Sequence, residues 1–471
     1  PPLPISSTMA HRQSSISLIY TFVVFSLLLY AKQSFAIEVR QLRSVESKKT
    51  HRVSNKESNP FIQSDSCNTS PTLGTSSANK TTLTLVHAHG PCSSFNKHVK
   101  SPLELLAQDQ TRLKMINTKL GVEEDATTVN AYDGSKIGSG GYIVQVGLGT
   151  PSNQLYLSMD TGSDLTWTQC LPCIRCYPQN DPVFDPSKSS TYSSIPCGSS
   201  ACQSAQGTNT GCSGTTCAYK VQYGSATATS TTSGVLSQDV LTVNDPIGSV
   251  VFGCGNNNYG TMSGEAGFLG LGRGSFSIIT QKGSTLNNQF SYCLPSTISG
   301  TGYLALGSGG NTAKYYVPFS PSIPSPFYGM ELSSFQLGGT TASISPPLPM
   351  IIDTGTTVSR LPPKIYAALR DLFKASMSAY PAAPAASILD TCYDLSGSNG
   401  NVNLPAIDFT FGETITLTLT TNNIYAISLK QVCLAYAPTT GRPVLGNTQQ
   451  KSFEFTLDIG GSRVGLSSGC D

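Results

Sequence analysis

Histidine is confined to the front of this 471-residue chain. His11, His51, His87, His89 and His98 are all there are, and none follows residue 98. The rest of the chain therefore cannot assemble a Ser-His-Asp or Cys-His nucleophile, nor a histidine-ligated zinc. Charge is sparse too, at 12% of residues. From residue 138 onward 14 Lys+Arg face 17 Asp+Glu with no basic run, which argues against nucleic acid as a partner. Long apolar runs are limited to "LIYTFVVFSLLLY" at 18–30, which is short for a membrane span. No apolar tail follows the final "GLSSGCD", so no membrane anchor is expected. Tryptophan occurs once, as Trp167.

What is present at the front reads as an export signal. From Met9, His11 and Arg12 give a basic start, the apolar run follows, and "SFA" at 34–36 has the small-x-small form of a cleavage site. A signal peptide over 9–36 is expected. Cysteine agrees: 12 of 14 fall at or after Cys170, an even number suited to an oxidising compartment. The cluster Cys170, Cys173, Cys176 has iron–sulfur spacing, but the fourth ligand position is Asn180. Disulfides are expected there, with no metal and no cofactor; spacing alone leaves the pairing open.

Residues 37–137 are polar and basic, with 13 Lys+Arg against 10 Asp+Glu and glycosylation acceptors at Asn68 and Asn79. One helix is signposted: Ser101 as cap, Pro102 at the first helical position, Glu104 completing a capping box, and Gly121 after the run "LELLAQDQTRLKMINTKL". A basic leader with one helix, ahead of an acidic body, reads as a removable prosegment over 37–137. Lys114 on that helix could serve as an inhibitory cation, but a solvated lysine is the expected state. After the flexible "GSKIGSGG" at 134–141, short alternating runs such as "YIVQVGL", "LYLSM" and "ITLTLT" predict a mainly β body. The clearest helix in it is "PPKIYAALRDLFKASM" at 362–377. A Pro/Ser-rich stretch at 318–327 divides the body, giving expected lobes over 138–325 and 326–471.

The two halves echo each other. "YIVQVGLG", "DTGS" and "FLGLG" in the first match "FYGMELSSFQLGG", "DTGT" and "VLGN" in the second, in the same order. Asp160 and Asp353 each end an apolar strand and enter a tight Thr-Gly turn. Two such lobes face to face would bring the carboxylates together, where they cannot both ionise and so share a proton. One could then act as general base on a water while the other, protonated, polarises a carbonyl. Each copy of the motif supplies half of one site.

The chain resembles the pepsin-type aspartic proteases, closest to the plant atypical, nepenthesin-like group. The resemblance runs from about residue 80 onward and rests on "HGPCSS", "GYIVQVGLGTP", "DTGSDLTWTQC", "FDPSKSSTY", "VFGCG", "GRGSFSI", "FSYCLP", "LDTCYDLSG" and "GNTQQ". It implies a bilobal β fold with Asp160 and Asp353 as catalytic pair. Thr161 and Thr354 match threonines that cross-brace the two loops, together with Gly162 and Gly355. Ser163 and Thr356 match hydroxyls that bond the outer carboxylate oxygens. Tyr223 and Gly224 match the flap that closes over substrate, the tyrosine bonding Trp167. The flap departs from the group in having Ser225 and Ala226 where Asp and a tip glycine are usual. The implied protein is a monomeric aspartic endopeptidase made as a zymogen, acting on proteins or peptides, outside the cell (the apoplast) or in the vacuole. The competing reading is a non-catalytic binding protein on the same fold.

Overall fold

Period-two alternation becomes strand throughout the body. "YIVQVGL" forms Tyr142–Leu148, "LYLSM" lies in Asn153–Asp160, and "ITLTL" forms Ile415–Leu419. The structure, a computed structural model, describes residues 36–40, 51–54, 66–67, 81–95, 101–122 and, with short interruptions, 141–468. The expected signal peptide apart from Ala36, both glycosylation acceptors and all but the end of the 134–141 junction lie outside the described residues.

The architecture is mainly β and two-lobed. A 15-stranded sheet runs through both lobes. Across its middle, Phe453–Asp458, Gln289–Cys293, Thr301–Leu306, Thr82–His87, Tyr142–Leu148 and Asn153–Asp160 lie side by side in that order. A 9-stranded sheet joins the N-terminal strands Ala36–Arg40 and His51–Ser54 to strands of the second lobe and carries the long hairpin Tyr328–Leu337 and Thr340–Ile352. The echo between halves is a repeated crossing. In the first lobe Gly267–Gly270 runs parallel beside Asn153–Asp160, with Gly270 opposite Asp160. In the second, Val444–Leu445 runs parallel beside Thr340–Ile352, with Leu445 opposite Ile352. Each crossing ends a strand at an aspartate from the inside of its lobe. One continuous apolar core, including Leu157, Phe252, Phe290, Tyr328, Met350 and Phe455, fills the space behind both.

Two long helices pack on this frame. Helix α1 (Pro102–Lys119) has the predicted capping box: the Ser101 side chain accepts from the Glu104 amide, and Glu104 reaches back to the Ser101 amide. Its apolar residues Leu113, Met115 and Ile116 are buried with Trp167, Tyr219, Tyr223 and Phe327. Leu106 packs with Val358 and Ala437 of the second lobe. One helix therefore spans the opening between the lobes. Helix α2 (Pro363–Ser376) buries Ile365, Tyr366, Leu369 and Phe373 against the second lobe.

The cysteines settle as disulfides. Cys170 pairs with Cys254 and Cys173 with Cys176, so the dense cluster divides between two bonds. Cys197–Cys212 and Cys202–Cys217 tie the following loop, and Cys392–Cys433 the second lobe. In the leader, Cys67 pairs with Cys92.

Candidate active site

Asp160 is the last residue of its strand and Asp353 directly follows the strand Thr340–Ile352; both are buried. Turning the chain there puts backbone and hydroxyl donors around each carboxylate. The Gly162 amide donates to Asp160 Oδ1 at 3.0 Å, and Ser163 Oγ donates to Oδ2 at 2.5 Å. Thr356 Oγ1 donates to Asp353 Oδ2 at 2.6 Å. Glycine at 162 and 355 is a matter of room. A Cβ on Gly162 would sit 3.0 Å from Asp353 Oδ1, and one on Gly355 would stand 2.8 Å from Arg112 Cζ.

Beneath the carboxylates the two turns hold each other. The Thr354 amide donates to Thr161 Oγ1 at 3.1 Å, and the Thr161 amide to Thr354 Oγ1 at 3.4 Å. Each hydroxyl also reaches the opposite strand: Thr161 Oγ1 to the Ile352 carbonyl at 3.4 Å, Thr354 Oγ1 to the Met159 carbonyl at 3.3 Å. The pattern is two-fold symmetric and fully buried, so neither turn can move without breaking bonds to the other. Asn447 and Gln450, in "GNTQQ", steady the second turn through the Thr354 and Asp353 carbonyls at 3.0 and 3.2 Å.

A cation occupies the space between the carboxylates, and it is Arg112 of α1. Its Nη2 stands 2.6 Å from Oδ1 of both Asp160 and Asp353, and its Nε donates to Asp353 Oδ2 at 3.0 Å. Lys114 is in solvent as expected. Burial alone would push the Asp160 carboxyl up; the Arg112 guanidinium and the Ser163 hydroxyl instead hold it below the usual carboxylate range.

Two further contacts fasten the same helix. Asp109, 1% exposed, accepts from the Thr357 amide at 2.7 Å and the Val358 amide at 3.0 Å, with Arg360 Nη2 at 3.5 Å. Asn117 Oδ1 accepts from the Arg442 amide at 2.9 Å. Neither Arg112 nor Asp109 was singled out in the sequence. Asp109, Arg112 and Ile116 have the i, i+3, i+7 spacing of one helix face, whereas Lys114 lies about 200° round from Arg112. The helical face, taken with the capping box, was the signal available.

The hairpin expected over the site is Thr216–Ser225 paired with Ala228–Val243. Tyr223 pairs with Ser230 and Gly224 with Thr229, and the tip at 226–227 is outside the described residues. Trp167 Nε1 donates to the Tyr223 hydroxyl at 2.8 Å, with Trp167 fully buried. Arg273 is engaged in the scaffold, donating to the Ile323 carbonyl at 2.6 Å and lying over the Phe319 ring.

Comparison with known proteins matches residues 142–308 to a family described as "Xylanase inhibitor N-terminal" and 327–468 to "Xylanase inhibitor C-terminal". An aspartyl protease family protein of Arabidopsis thaliana is 43% identical, over 86% of this chain and 90% of its own length. Aspartyl protease AED1 of the same plant is 40% identical over 87% and 90%. Aspartic proteinase nepenthesin-1 of Nepenthes gracilis is 33% identical over 75% and 81%. Among solved structures, edgp superposes with a TM-score of 0.56 at 18% identity, over 84% of this chain and 98% of that one. Basic 7S globulin from soybean gives 0.55 at 20%, over 70% and 92%. These two speak for the fold alone.

Proposed function

The chain belongs to the plant pepsin-like aspartic protease family, in its nepenthesin-like group, and on that premise we propose that it is an aspartic endopeptidase made as a zymogen. The observation that carries the reading is the pairing of Asp160 and Asp353, close enough for one guanidinium nitrogen to touch both inner oxygens at 2.6 Å. Once the helix is gone, two buried carboxylates at that spacing hold one proton between them. The ionised one takes a proton from a water whose oxygen attacks the peptide carbonyl carbon. The protonated one donates to the carbonyl oxygen. The tetrahedral diol then collapses: the C–N bond breaks, the nitrogen takes the proton that the first carboxylate had accepted from water, and a diol hydroxyl gives its proton back to the second carboxylate, which restores the dyad and frees the carboxylic acid. Thr161 and Thr354 hold the geometry, and Tyr223 on its hairpin would close over the substrate.

In the zymogen reading, residues 37–137 are the prosegment and α1 is its inhibitory element. Its Arg112 fills the space a substrate carbonyl and water would need. Export fits the disulfides, which suit an oxidising compartment, either the extracellular apoplast or the vacuole.

The test is hydrolysis of a generic protein substrate by the full chain after acid treatment, with and without pepstatin. Pepstatin-sensitive cleavage at acidic pH is expected. A second reading, a non-catalytic inhibitor on this fold, is favoured by the xylanase-inhibitor description of the matching families. Absence of cleavage after the leader has been removed, together with inhibition of a xylanase, would overturn the first reading in favour of the second.

A further inference from the structure

A buried carboxylate on α1 marks a second binding position in the cleft. Asp109 lies three residues before Arg112, about 4.5 Å along the helix axis, so both reach the opening between the lobes from the same face. Arg112 meets the two aspartates, while Asp109 meets positive partners, all of them from the segment just after the second Asp-Thr-Gly. Two consecutive amides, of Thr357 and Val358, point at its two oxygens at 2.7 and 3.0 Å. Behind them the Arg360 guanidinium, 1% exposed in the strand Ser359–Leu361, closes on Oδ2 at 3.5 Å. Two amides and a guanidinium around one carboxylate form an anion site, and the carboxylate in it belongs to the element that must leave.

We propose that in the mature enzyme this position selects an acidic side chain of the substrate, Asp or Glu, a few residues from the bond that is cut. The inference rests on the endopeptidase reading above and deepens it to a substrate class. From Asp353 to Val358 the chain can reach at most about 17 Å, which is the length of about five extended residues. The recognised side chain therefore lies within that distance of the scissile bond, on one side of it. The two amides alone would accept any substrate carbonyl equally well. The buried guanidinium is what separates Glu from its neutral isostere Gln, because a charge-assisted bond is stronger than a neutral one. Leaving the amides and guanidinium facing an uncharged side chain forfeits that difference.

The experiment uses the acid-matured enzyme and a set of fluorogenic peptides sharing one cleavable bond. Glu and Gln are exchanged at each position up to five residues on either side, and kcat/KM is measured above the ordinary glutamate pKa of about 4.3. At one position Glu is expected to be preferred by roughly tenfold, mainly through KM. Arg360→Gln should bring the Glu/Gln ratio at that position to about one, and Arg360→Lys should restore part of it. If Arg360→Gln does not fold, the wild-type series decides alone. A ratio near one at every position, with the peptides still cut, overturns this inference and leaves the endopeptidase reading intact. A preference that survives Arg360→Gln overturns it as well. Failure to cut any peptide removes both.

Discussion

A guanidinium between two carboxylates changes what each can do. With Arg112 in place the Asp160 carboxyl is held below the ordinary range, so the shared-proton state that the proposed hydrolysis needs is disfavoured. Removing the cation should return the pair to that state. Arg112→Gln is therefore expected to process itself faster than the wild type, and at higher pH, by tenfold or more as judged by gel at each pH step. Equal conversion curves would mean that Arg112 is not the inhibitory group. At the dyad itself, Asp160→Asn and Asp353→Asn are each expected to abolish hydrolysis, because an amide can neither take the proton from water nor share one. Circular dichroism should stay unchanged, since the crosswise threonine bonds do not involve either carboxylate. Near-normal activity in either variant would break the assignment.

At the level of elements, much was legible where the determinants are local. The capping box set the start of α1 from Ser101, Pro102 and Glu104 alone, alternation found the strand that delivers Asp160, and an apolar run found the one that delivers Asp353. What could not be read is what each element touches. Arg112 meets groups 48 and 241 residues away, and Asp109 meets groups about 250 away. Only the closed fold brings these together. The hairpin that carries Tyr223 shows both sides of this. The resemblance paired Tyr223 with Trp167, and the structure adds that the indole N–H is fully buried with the phenol oxygen as its acceptor. Tyr223→Phe would strand that N–H, at about 1–3 kcal/mol. It should lower thermal stability by that amount, shift the emission of the chain's single tryptophan, and reduce kcat/KM. An unchanged emission spectrum would show that the pair does not exist in solution. The cap of α1 gives a separate handle. Ser101→Ala should weaken the helix by about 1 kcal/mol and speed processing about fivefold at fixed pH.

Across the whole molecule, the proposed prosegment also takes part in the central sheet. Its strand Thr82–His87 lies between Thr301–Leu306 and Tyr142–Leu148, in the middle of the sheet that joins the lobes. The basic leader and acidic body suggest release governed by carboxylates alone, and buried His87 changes that expectation. Burial first, then the neighbouring His89 and Lys451, push the His87 pKa well down; Tyr142 and the Gly141 turn close the rest of its surroundings. A base with a depressed pKa binds fewer protons docked than free. Its contribution to docking is thus present above the free value of about 6.5 and lost as pH falls below it. Asp160 has the same direction lower down: a depressed carboxylate favours docking above its free pKa of about 3.9 and loses that as pH falls further. Asp109 opposes them, because burial raises it and protonation then favours the docked form. Acid should therefore loosen the strand first and the Arg112 contact second. His87→Phe, which keeps a ring against Tyr142 and cannot charge, should remove the first step. The check is the wild-type to variant ratio of conversion rates at each pH, in which the titration of the dyad cancels. A ratio rising from about one near neutrality to several-fold at pH of about 5 is expected. A ratio that stays flat to the carboxylate range would take the histidine out of the mechanism and leave release to Asp160.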